Sequence, residues 1–104
     1  PRALEAIVVL RSTTRRPLSA AAYSAAFHAA SKIAARWDRG RRPPEEEVME
    51  LLLSIAALAR ECGAETLAKH RGELMTVYEI ASRAEVKYKY TSYSDRLGSA
   101  LGVP

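Results

Sequence analysis

Residues 39–62 read RGRRPPEEEVMELLLSIAALAREC, and the fold turns on how this stretch is parsed. Gly40 and the Pro43–Pro44 pair close one element and open another: glycine tolerates the left-handed backbone after a helix, and proline is pre-set for a first helical turn, here with Pro44 at the first helical position. Glu45, Glu46 and Glu47 then set negative charge beside the open amides of a helix start. Val48, Leu51, Leu52, Ile55, Leu58, Ala59 and Cys62 recur at helical spacing, and Met49, Leu53 and Ala56 widen the stripe. So wide an apolar surface belongs to a helix that is either central to its own core or shared with a partner. Met49, Leu52 and Leu53 are the candidate protein-interface residues.

Upstream, Tyr23, Phe27, Ala30, Ala34 and Trp37 share one face of an alanine-rich helix from Ala20 to about Arg39. Ala22, Ala26, Ala29 and Ile33 mark the adjacent stripe, and such small side chains let a second helix approach closely. Ser19 is its N-cap, with Leu18 placed as a hydrophobic staple. Further back, ALEAIVVL (residues 3–10) predicts a short helix, although Ile7, Val8 and Val9 have local strand preference. RSTTRRP (11–17) breaks the pattern, since Pro17 disfavours helix at Arg16.

Downstream, Leu67, His70, Leu74, Val77, Ala81 and Ala84 predict one helix over about residues 65–85. It passes through Gly72, where a break is the alternative, because an interior glycine costs about 1 kcal/mol relative to alanine. VKYKY (86–90) alternates with period two and predicts an extended segment near residues 86–91, in the manner of an edge strand. Ser92 and Asp95 match the S-x-x-D capping pattern ahead of a short helical face of Tyr93, Leu97, Ala100 and Leu101. The expectation is a single all-α domain over 1–104, a small bundle of four to five helices with a short extended segment.

Composition narrows the function classes. The 104 residues are 48% hydrophobic and 27% charged, which fits one globular domain and excludes a disordered or membrane-embedded chain. The longest apolar runs fall short of the about 20 residues that span a bilayer, and no secretory leader pattern opens the chain. The lone Cys62 has no disulfide partner, and two histidines make no zinc cluster, so a reducing cytoplasmic setting is expected. The chain has neither Asn nor Gln, and depletion of heat-labile amides is a mark of thermophile proteins. Net charge is +4, distributed as +7 over residues 1–44, −5 over 45–85 and +2 over 86–104. That separation suits a chain meeting a polyanion with one face and a protein with another.

No catalytic residue, metal or cofactor is expected. His28 and His70 each lie on a helix without an evident acid–base partner, and Cys62 lies near a helix C-terminus, where the dipole raises a thiol pKa. The basic clusters carry more information. Arg11, Arg15 and Arg16 share one loop, Arg36, Arg39, Arg41 and Arg42 surround the next, and Lys87 and Lys89 alternate with Tyr88 and Tyr90. Guanidinium groups grip phosphate in bidentate fashion and tyrosine stacks on unpaired bases, so these residues predict contact with RNA or single-stranded DNA.

The run Tyr93, Asp95, Arg96, Leu97 and Ala100 resembles the Y-x-D-R-[IL]-x-x-A signature of the small helical subunit of archaeal type I-A CRISPR interference complexes. The resemblance implies a non-catalytic antiviral-defence subunit that lines guide and target strands and contacts other subunits, with self-association also open. Arg96 joins the nucleic-acid candidates, since Asp95 is its chain neighbour and cannot pair with it across a helical turn. The other reading is a helical dimerisation or adaptor module that binds no nucleic acid.

Overall fold

The computed structural model describes residues 2–13 and 18–104. Arg15, Arg16 and the later part of the break expected over 11–17 lie outside the described residues, but its first part is not a loop: Arg11, Ser12 and Thr13 continue the first helix. Five helices follow in order: α1 (Arg2–Thr13), α2 (Ala20–Trp37), α3 (Glu45–Glu61), α4 (Ala64–Tyr88) and α5 (Ser94–Ala100), with no strand among the described residues.

The wide stripe of α3 is central to the chain's own core. Val48, Leu51, Leu52, Ile55 and Leu58 have no solvent exposure, because α1, α2 and α5 all pack onto this helix. Helix α2 meets α4 along most of its length, with Ala26, Ala30 and Ala34 buried between Phe27, Ile33 and Trp37. The alanines bring the two backbones close, and the larger side chains fill the seam. Ser19 caps α2 as expected, its Oγ accepting the Ala22 amide at 3.2 Å. Pro44 occupies the N-cap of α3, one position before the expected one. The turn into α4 is short and passes through Gly63 at φ +90°, a conformation that favours glycine.

Helix α4 passes Gly72 unbroken and absorbs the first part of the expected extended segment, so Val86, Lys87 and Tyr88 are helical. The period-two pattern loses because an isolated strand on a helical domain has no ladder partner for its amides and carbonyls, whereas each residue added to α4 gains a backbone bond. Val86 therefore buries nothing and is 81% exposed. The helix ends at Lys89, which is left-handed at φ 59° and ψ 41° although it is not a glycine, and the Tyr90 amide closes back on the Glu85 carbonyl at 2.9 Å.

The expected Ser92–Asp95 cap does not form: α5 starts at Ser94, behind Tyr93, with no side-chain cap from its own flank. The donors there are met by Glu85 of α4. Its carboxylate, in a residue only 4% exposed, accepts the Tyr93 amide at 2.7 Å, the Ser94 amide at 3.1 Å and the Ser94 hydroxyl. Capping thus comes from eight residues upstream, beyond the reach of a local motif. Gly98 lets the Tyr78 ring lie against α5, where a Cβ would stand 2.7 Å from the ring edge.

Burial raises the Glu85 pKa above its ordinary 4.5, against the lowering influence of its hydrogen bonds from Ser94 and Tyr93. The folded state therefore holds this proton more tightly than the unfolded chain. The associated stability is complete below 4.5 and is lost as pH rises through the folded value. Glu85→Gln, which keeps one acceptor and offers a donor to the Ser94 hydroxyl, should gain stability relative to wild type as pH rises above about 4.5. Glu85→Ala should cost about 1–3 kcal/mol at any pH by orphaning buried donors. Urea unfolding at a series of pH values checks both, and a difference between wild type and the glutamine variant that does not change with pH refutes the linkage. A Cβ at exposed Gly72 would meet no neighbour within 4 Å, so Gly72→Ala should add up to about 1 kcal/mol in the same assay.

Candidate nucleic-acid interface

The loop between α2 and α3 (residues 38–44) and the end of α4 with residues 89–92 converge at one end of the molecule. Their meeting point is Arg42. Its Nε donates to the Tyr90 hydroxyl at 2.9 Å, and that hydroxyl donates in turn to the carbonyl of buried Pro43. The guanidinium carbon lies 5.4 Å from the Tyr88 ring centre and 5.3 Å from that of Tyr90. The two rings are 5.7 Å apart and inclined by 34°, and the Lys87 ammonium is 5.2 Å from the Tyr88 ring centre.

The local backbone explains why these groups meet. Two residues apart on a continuous helix, Tyr88 and Tyr90 would point to nearly opposite sides. The left-handed Lys89 reverses the chain and returns Tyr90 to the side of Tyr88. Pro43 and Pro44 stiffen the facing loop, and the Thr91 amide donates to the Glu45 carboxylate at 3.4 Å, tying the two segments together. Glu45 thus does more than complement a helix dipole. The Tyr90 hydrogen bond raises the Arg42 pKa above its already high ordinary value, so the group is charged at every working pH.

Cations crowd this end. Arg36, Arg41 and Arg42 line a cleft of about 250 Å³ with Trp37, Pro43, Pro44 and Glu47. On the other side of Trp37, a cleft of about 220 Å³ is lined by Asp38, Gly40, Ile80, Arg83, Ala84, Lys87 and Tyr88. Trp37 is the shared wall, its Nε1 donating to Glu47 at 2.9 Å, and Arg83 pairs with Asp38 at 3.3 Å. Among the described residues, neither Arg36 nor Arg41 has a carboxylate within 4 Å.

Of the residues singled out from sequence, Arg39, Arg41, Arg42, Lys87 and Lys89 are exposed and stand on these two segments, with Tyr88 and Tyr90 half-buried between them. Arg96 is elsewhere. It is exposed on α5, and its carbonyl accepts Arg60 Nη2 at 3.4 Å, from the last turn of α3 rather than the first. Leu52 is enclosed in the core and unavailable to a partner, while Met49 and Leu53 are half-buried. Arg36, read from sequence as part of this cluster, is exposed at the end of α2, while Arg83 was missed. Arg83 stands four residues before Lys87, a helical spacing that becomes visible once residue 87 is assigned to a helix rather than an extended segment.

No family model, curated protein or solved structure matches the chain. No helix is long and apolar enough to cross a membrane, and no group of three or more His, Cys, Asp or Glu could hold a metal, both among the described residues.

Because Arg42 covers the two rings, Arg42→Ala should increase nitration of Tyr88 and Tyr90 by tetranitromethane, leaving Tyr78 as an internal reference. Peptide mapping reads the sites, and equal labelling in both proteins would show that Arg42 does not shield them.

Proposed function

We propose that the chain is a non-catalytic subunit of a nucleoprotein complex that holds single-stranded RNA or DNA at this basic end. The observation that carries the reading is the Arg42 guanidinium laid over Tyr88 and Tyr90, with Arg39, Arg41, Lys87 and Lys89 around it. A base meets the guanidinium plane first, which stacks on bases as an aromatic ring does, and the flanking cations neutralise phosphates. The rings act as a pedestal beneath Arg42. This role is of the kind implied by the resemblance to CRISPR interference small subunits, with protein neighbours completing the assembly. The wide apolar stripe of α3, which motivated the adaptor alternative, is accounted for by the chain's own packing.

Titration of a fluorescent single strand against salt tests the proposal. With Arg39, Arg41, Lys87 and Lys89 as phosphate contacts, log K should fall with log salt at a slope of about −3, from about 0.7 per neutralised phosphate on a single strand. Lys87→Ala with Lys89→Ala should reduce that slope by about 1.4, and Arg42→Ala should weaken binding with a smaller change in slope. Arg96→Ala should leave the affinity unchanged. Absence of binding at low salt, or a slope indifferent to the lysines, would sink the assignment.

A further inference from the structure

Away from the basic end, the seam between α2 and α4 holds a polar cluster that strand binding does not use. Ser24 Oγ lies 2.8 Å from His70 Nε2, and the other ring nitrogen, Nδ1, lies 3.6 Å from Glu73 Oε1. The second carboxylate oxygen of Glu73 accepts from Ser31 Oγ at 3.3 Å and stands 3.3 Å from Nδ1 of His28. Phe27, fully buried, packs its ring 5.5 Å from that of His70 and fixes the imidazole from below. A hydroxyl on one imidazole nitrogen and a carboxylate beside the other is the arrangement that activates a serine: the carboxylate favours the tautomer with the proton on Nδ1, leaving Nε2 to accept from the hydroxyl.

We propose that Ser24 is an acylation site, taking an acyl group from small, uncharged, activated esters or thioesters, with His70 as base and Glu73 as the positioning residue. Ser24 Oγ forms a bond to the acyl carbon while its proton passes to His70 Nε2. The adduct collapses with cleavage of the bond to the aryloxide or thiolate, which takes the proton from His70. The products are the Ser24 ester and a free phenol or thiol, with no further reactant.

The surroundings set the donor class. Ser24 is half-buried, and on the preceding helical turn Ala20 and Ala21 offer only methyl groups, so a compact donor reaches the hydroxyl. From Ala22 onward the amides of α2 are taken up by carbonyls of the preceding turn, so the amides of Ser24 and the residues just after it are not free to form an oxyanion hole. A good leaving group must compensate. The same lack slows attack of water on the acyl-serine, so modification outlasts turnover.

Incubation of the chain with p-nitrophenyl acetate at neutral pH tests this. The expected result is a single fast phase of nitrophenolate release, one acetyl group per chain by intact mass, and assignment of that group to Ser24 by peptide mapping. Ser24→Ala, which suits an alanine-rich helix, should abolish the fast phase. His70→Gln should slow it about 10²-fold, the scale of a lost general base, and Glu73→Gln should slow it less. Acetyl found on lysines or the terminal amine with Ser24 unmodified, or a His70→Gln protein that is folded by circular dichroism and labels at the wild-type rate, overturns the proposal. Should His70→Gln not fold, mapping of the wild-type chain decides alone.

Discussion

The Glu85 carboxylate holds the C-terminal third of the fold in register. Helix α5 has seven residues, well under the about 12–15 that an isolated helix needs in water, so its order must come from outside itself. Leu97 and Leu101 supply burial against α3, but burial alone does not satisfy the amides that open the helix. One acidic side chain near the end of α4 accepts two of them and a hydroxyl besides. The segment so pinned also carries Tyr90. The height at which Tyr90 meets Arg42 therefore follows from a contact on the far side of the same turn.

The fold was legible wherever one helical face was long enough to repeat. In α2, α3 and most of α4 the apolar spacing survives several turns, and Pro44 and Gly63 mark helix ends within a residue, whereas Gly40 follows the last residue of α2 by three. Legibility failed where the deciding interaction was not local. VKYKY has the alternation of a strand, but nothing in a five-residue window tells whether a partner strand exists, and among the described residues none does. Ser92 and Asp95 fit a capping pattern, yet a carboxylate from eight residues away takes the amides. The arginine loop and the tyrosine–lysine run were each visible in the sequence. Their meeting was not, because it requires a left-handed lysine and a helix three residues longer than the pattern implied.

The charge separation along the chain takes on a different meaning in three dimensions. Acidic side chains of the middle segment largely turn to internal duty: Glu45 on the Thr91 amide, Glu47 on Trp37, Glu61 on the Tyr23 hydroxyl, Glu73 on the α2–α4 seam and Glu85 on α5. Basic side chains divide: Arg42, Arg60, Arg71 and Arg83 donate within the chain, but mostly to carbonyls or a hydroxyl rather than to carboxylates. Among the described residues, Arg83–Asp38 is the one arginine–carboxylate pair within 4 Å. Carboxylates held as acceptors still carry charge, but their lone pairs are committed, whereas the guanidinium donors of Arg36, Arg39 and Arg41 face solvent. That difference in free donors, more than the net charge of +4, is what the proposed contact with an anionic strand rests on.

Arg42 differs from its neighbours in being already constrained. A free surface arginine gives up rotamer freedom worth up to about 2 kcal/mol when it binds, and much of any electrostatic gain is offset by that ordering. Held by the Tyr90 hydroxyl and by two ring faces, Arg42 has given up most of that freedom during folding. Its plane is presented rather than found. The tyrosines read from sequence as stacking platforms thus have a different part in the proposed interface: they orient a cation whose own face does the stacking. A guanidinium on an aromatic pedestal joins charge to planarity at one point, so phosphate attraction and base contact need not be divided between separate side chains.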